Sequence, residues 1–234
     1  MINVAEMADT VNAAFHYGDD RTVSQIYSVA HYVEKIKTGP EYVGKVKAMV
    51  DALADFGHYM QPFLSEANQW TLGENGKHRV MPEENKITAK QIAEIKNKTA
   101  DYDMVKNITE GSPIINVKQA LVLDSETSIY LHLEMRDDYA GGIPTAKIGN
   151  KSLKVTRMSD GRYRVVIPSI RATQLGDKYE VVITAGGKDC TVSVSALSYV
   201  YKALANPDNL SSSAQAAVAS LYRYYDAARQ YTAR

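Results

Sequence analysis

The chain has 234 residues, 45% of them hydrophobic, which is enough for a proper core in one large domain or two small ones. Lys plus Arg equals Asp plus Glu at 27 each, so there is no electrostatic case for nucleic acid or an anionic membrane surface as partner. No apolar run approaches the roughly 20 residues of a spanning helix, and membrane insertion is not expected.

The one cysteine, Cys190, cannot form an internal disulfide. Tyrosine stands out at 16 residues against 3 Phe and 1 Trp, a balance that suits half-buried surfaces whose hydroxyls reach water. Met1-Ile2-Asn3-Val4-Ala5-Glu6 lacks the basic and then apolar regions of a secretory signal. On that reading the protein either stays inside the cell or is an excerpt of a longer one.

Residues 1–27 are expected to hold a β-hairpin. Two strand-like runs, 10–15 and 22–27, flank the turn sequence Tyr17-Gly18-Asp19-Asp20. Residues 28–64 read as a helical hairpin. A short helix to Lys37 has Val29, Val33 and Ile36 inward, and Gly39-Pro40-Glu41 breaks it. A second helix runs to about Gln61, where Pro62 ends or kinks it. His31 and His58 lack a second ligand at helical spacing, and both read as structural.

Residues 65–103 are expected to be a long polar loop containing Trp70, then a short capped helix over 88–96. From Met104 the hydrophobic period changes to two. Short alternating runs, interrupted at Asp137-Asp138, Gly141-Gly142, Gly149-Asn150, Ser159-Asp160-Gly161 and Gly186-Gly187, predict an antiparallel β region over 104–194. Residues 195–234 read as a second helical hairpin, turning at Asn206-Pro207-Asp208 and capped again at Ser211-Ser212-Ser213.

The two helical segments echo each other. Val46, Met49, Val50, Leu53, Phe56, Gly57, Met60 and Phe63 form one apolar stripe. A shift of 168 positions lays it on Ala214, Ala217, Val218, Leu221, Tyr224, Tyr225, Ala228 and Tyr231 without a gap. Each stripe needs covering, since isolated helices of this length barely hold in water. The expected fold is therefore α+β. An antiparallel, sandwich-like middle is framed by N- and C-terminal helical hairpins that pack into a shared core, and residues 1–234 form a single composite unit.

Chemistry-bearing patterns are sparse. There is no Gly-x-Ser-x-Gly elbow, and Gly186-Gly187-Lys188 lacks the spacing of a phosphate loop. Neither His-Glu-x-x-His nor paired cysteines offer a zinc site, so no metal or other cofactor is expected. The acids Asp124, Glu126, Glu134, Asp137 and Asp138 are scattered, and nothing selects a glycosidase pair among them.

Several stretches in order resemble a known module. They are Tyr27-Ser28-Val29-x-x-Tyr32, Ala52-Leu53-x-Asp55-Phe56-Gly57-x-Tyr59-x-Gln61-x-Phe63 and Ile170-x-Ala172-x-x-Leu175-x-Asp177-x-Tyr179. Ser195-Ala196-Leu197-Ser198-Tyr199 and Ser220-Leu221-Tyr222-x-Tyr224-x-x-Ala227-Ala228-x-x-Tyr231 complete the series. Together they are similar to an uncharacterised α+β module that recurs in large secreted or wall-attached proteins of Gram-positive anaerobes, often near leucine-rich repeats or bacterial Ig-like domains. The chain departs from it at Thr232, where the family commonly has Phe.

The resemblance implies an extracellular, non-enzymatic spacer or interaction domain whose partners are neighbouring modules of the same polypeptide. It supplies no catalytic residues. A second reading is a carbohydrate- or host-ligand-binding module, with Trp70, Asp137 and Asp138 as the ligand-binding candidates. A glycan-active enzyme is the third.

Overall fold

The computed structural model describes residues 4–18, 21–68, 72–73, 78–124 and 126–233. Among the described residues there are five α-helices and eleven strands in three antiparallel sheets, an α+β fold. The chain opens with strands β1 (Val11–Tyr17) and β2 (Arg21–Tyr27), followed by helices α1 (Val29–Lys37), α2 (Gly44–Asn68) and α3 (Ala89–Lys98). Nine strands come next: β3 (Val105–Ile108), β4 (Ile114–Leu123), β5 (Thr127–Met135), β6 (Thr145–Ile148), β7 (Lys151–Ser152), β8 (Lys154–Arg157), β9 (Tyr163–Ile167), β10 (Tyr179–Ala185) and β11 (Lys188–Val194). Helices α4 (Ala196–Ala205) and α5 (Ser212–Thr232) close the chain. These elements fall into two compact units, one of Met1–Ile92 with Pro207–Arg234 and one of Ala93–Asn206.

The first unit is built on α2 and α5. Lys45 at the start of α2 donates to the carbonyl of Ala233 past the end of α5 at 2.7 Å, so the helices run antiparallel. Midway along, Asp55 meets Arg223 at 3.2 Å, and the rings of Phe56 and Tyr224 stack at 5.1 Å and 14°. The Asp55–Arg223 and Phe56–Tyr224 pairs are each separated by 168 positions (223 − 55 and 224 − 56), so residues equivalent under the repeat meet at the crossing. Val50, Phe56 and Met60 of one stripe and Ala217, Val218 and Leu221 of the other are buried.

Polar groups of α2 hold residues 79–87 along the same helix. Asp55 is fully buried and accepts from the backbone N–H of Glu84 at 2.7 Å and of Asn85 at 2.9 Å. Gln61, also buried, donates to the carbonyls of Ala5 and Arg79 and accepts from Met81 N–H at 2.7 Å. His58 meets the Met81 carbonyl at 2.9 Å, in keeping with a structural role. The segment lies so close that a Cβ on Gly57 would stand 2.5 Å from Met81 Cγ.

The structure differs from expectation at Pro62 and divides the closing segment. Pro62 does not end α2, which runs on through it to Asn68. The closing segment is divided between the units: α5 belongs to the first and α4 to the second. The framing by two helical hairpins is not confirmed; what the first unit shows is one long antiparallel pair, α2 and α5. The physical reason lies in α4, which follows β11 directly and is fixed at Ser195, whose hydroxyl accepts from Ser198 N–H at 3.1 Å. Its apolar face, Ala196, Leu197, Val200 and Leu204, is buried, and Leu197 N–H bonds the Leu175 carbonyl within the second unit.

The second unit holds two sheets, ordered β4-β5-β9-β8 and β3-β11-β10-β6-β7. If β4, β5, β8 and β9 are labelled A, B, D and E, the first order is A-B-E-D. With β6, β7, β10 and β11 as C, C′, F and G, the second becomes C′-C-F-G with β3 added beside G. Immunoglobulin-type sheets use the same orders. Alternation buries one face of each sheet: Ile129, Leu131 and Leu133 on β5, and Val181 and Ile183 on β10. Between β7 and β8 the pairing breaks at Leu153, whose N–H bonds the Ala146 carbonyl. This break lets the chain pass from the second sheet to the first.

Replacing Asp55 with Ala would take away the acceptor of the Glu84 and Asn85 amides and the carboxylate that meets the Arg223 guanidinium in the helix crossing. The expected cost is about 2–4 kcal/mol, read as a lower urea midpoint at unchanged slope. Gly57→Ala is expected to destabilise as well, although Ala is the better helix former by about 1 kcal/mol, because the new methyl collides with Met81 near its backbone. A rise in midpoint for Gly57→Ala would show that the segment is not held as described.

Candidate functional site

The sequence candidates separate. Trp70 lies outside the described residues. Asp137 and Asp138 stand exposed in the turn after β5, where Asp138 pairs with Arg136 at 3.4 Å. Tyr139 closes that loop by donating to the Gly142 carbonyl at 2.7 Å. The turn between β10 and β11 comes near it, since a Cβ on Gly186 would lie 3.8 Å from the Tyr139 ring. Among the described residues, no group of three or more His, Cys, Asp or Glu is placed to hold a metal ion.

A different cluster forms on the outer face of the four-stranded sheet. Along β5, Ile129, Leu131 and Leu133 point to the core, so Tyr130, His132 and Glu134 must face the other way. Pairing then aligns one residue from each strand. Lys118 of β4, His132 of β5, Arg164 of β9 and Thr156 of β8 are register partners in a single row across the sheet. Cross-strand neighbours of this kind lie about 5 Å apart, and like charges placed directly opposite are destabilising. Three basic side chains side by side therefore need compensation.

That compensation is uneven. Lys118 forms an ion pair with Glu134, which also accepts from the Asn116 amide at 2.9 Å. These contacts hold the Glu134 carboxyl below the usual range. Arg162, two residues before Arg164, is paired with Asp160 at 2.5 Å. Arg164 lies over the Tyr130 ring, its guanidinium carbon 4.6 Å from the centroid, a cation–π contact. Among the described residues no carboxylate pairs with Arg164.

Its Nε, like Nδ1 of His132, is buried without a hydrogen-bond partner in the protein. Burial, and then the charges of Arg162 and Arg164, push the basicity of His132 down, so its imidazole is neutral at physiological pH. Both side chains are only half-buried, so an incoming group would meet their outer nitrogens.

This arrangement suits the binding of an oxyanion. With its face against Tyr130, the Arg164 guanidinium still presents an edge of donors that matches a carboxylate, sulfate or phosphate. His132 adds a second donor beside it, and the ring of Tyr130 lies 6.4 Å away. Sequence reasoning missed Tyr130, His132 and Arg164. The alternation over 127–135 carries the signal that Tyr130, His132 and Glu134 share a face, but not that Arg164 stands opposite His132.

The weakened basicity of His132 makes a stability prediction. In the unfolded chain this group takes a proton near pH 6.5. The folded value is lower, so the stability it contributes is full above about pH 6.5 and is lost as pH falls through the folded value. His132→Gln should therefore lose less stability than the native chain between about pH 7.5 and 5.5. Urea midpoints of both proteins at the two pH values check this, and an unchanged difference would contradict it.

Compared with known proteins, the chain matches no family model, no curated protein and no solved structure.

Proposed function

We propose that the chain is a non-enzymatic extracellular module of a bacterial surface protein, acting as an interaction domain. In this reading the buried faces of its two larger sheets pack on each other as a sandwich. The outer face around Arg164 receives a ligand that carries a negative group. The observation behind this is the half-buried Arg164 guanidinium, stacked on Tyr130 and set beside His132 without a carboxylate partner among the described residues. A fold gains little by holding such a cation over a sheet unless something meets its charge. The extracellular setting comes from the resemblance in residues 27–231.

Neighbouring modules of the same polypeptide are the second class of partner. Val11, Phe15, Val23 and Tyr27 share one face of the β1–β2 hairpin and are each about half exposed. A two-stranded hairpin by itself is marginal in water, so contact on this face would stabilise it.

The reading is tested with an array of acidic and neutral glycans, probed with the native chain and with Arg164→Gln. Capture of acidic glycans by the native chain alone is expected. Equal capture by both proteins, or capture of neutral glycans only, would contradict the assignment.

A further inference from the structure

We infer that the outer sheet face takes up an oxyanion and a proton together: a negative group on Arg164 holds His132 in its protonated form, so anions of constant charge bind more tightly as pH falls. This inference rests on the anion-binding reading of the same face and adds how that binding is regulated.

The argument starts from the register. His132 stands between Lys118 on β4 and Arg164 on β9. A proton on the imidazole would complete a row of three cations. Lys118 is met by Glu134, while Arg164 has no such partner among the described residues. An oxyanion on the Arg164 edge changes what His132 experiences. The nearest uncompensated charge turns from positive to paired, and a new acceptor stands beside the ring. Both changes favour the imidazolium. The proton comes from solvent, and no bond in ligand or protein is broken.

The two carboxyls around His132 move away from its range. Glu134 on β5 and Asp160 in the β8–β9 turn are both held below the ordinary carboxylate range, by Lys118 and Arg162 respectively. The Asp160 carboxylate in turn holds the Arg162 guanidinium above its ordinary value, and Lys118, Arg164, Tyr130 and Asn116 complete the surroundings of the ring. Histidine is the side chain whose charge ordinarily changes nearest neutrality, and His132 is placed at the centre of this row. Linkage requires the coupling to be mutual: if the anion favours the proton, the proton favours the anion by the same factor. One proton limits the effect to about tenfold per pH unit.

The test uses the full chain and sodium sulfate, with ionic strength held constant by sodium chloride. Sulfate keeps its charge near neutrality, whereas a phosphate monoester titrates near pH 6 and would blur the reading. The His132 imidazole is followed by NMR across pH, with and without sulfate, and assigned by its loss in His132→Gln. Sulfate is expected to raise the His132 midpoint by about one pH unit. Affinity measured by calorimetry should rise about three- to tenfold from about pH 7.5 to 5.5. His132→Gln should bind sulfate with no such pH dependence, and Arg164→Gln should not bind it.

Sulfate bound equally at both pH values, or with the His132 midpoint unmoved, overturns the proton coupling and leaves the anion site standing. Absence of binding up to about 10 mM sulfate overturns both.

Discussion

Asp55 is entirely out of water, and a buried carboxylate survives only where other groups replace its hydration. Here two adjacent backbone amides and a guanidinium do so, drawn from two other parts of the chain. The amides belong to Glu84 and Asn85, and the guanidinium to Arg223. One side chain therefore joins α2 to α5 and to the backbone at Glu84 and Asn85. Phe56 and Tyr224 stack at the next position, so the polar tie and the apolar contact occupy neighbouring points of one helix crossing. Gln61 repeats the device further along α2, binding Ala5, Arg79 and Met81. These ties fix where residues 79–87 run, and Gly57 leaves the room for them.

The second unit rests on a different constraint. A strand has two faces, and once alternation commits Ile129, Leu131 and Leu133 to the interior, the residues between them have no choice of side. Tyr130, His132 and Glu134 go outward together, and pairing with β4 and β9 sets their neighbours. The charges that result are matched for Lys118 and Arg162 but not for Arg164. The functional reading grows from that imbalance. Cys190 shows the opposite case: buried on β11, its thiol is pushed away from ionisation by burial, and it serves as a small core residue.

Much of the local structure was legible in the residues. The stripes on α2 and α5 followed from their spacing, and the echo at 168 positions foretold that they would meet. Ser28, Ser195 and Ser211 each cap a helix through the side chain, as helix-start chemistry leads one to expect. Pro62 was harder to read. Sequence alone offers an end or a kink there, and the helix does not end but runs on to Asn68. The division of the closing segment was also hidden, because α4 and α5 have similar stripes and differ in what those stripes are buried against.

By itself the sequence determined the class of each segment, helical or extended, and which side of each had to leave water, since both follow from the period of its apolar residues. It did not determine that Asp55 would find Glu84, or that His132 would stand between Lys118 and Arg164. Those meetings depend on register and crossing point, which join residues far apart in the chain. No local period encodes them, and only the folded arrangement decided them.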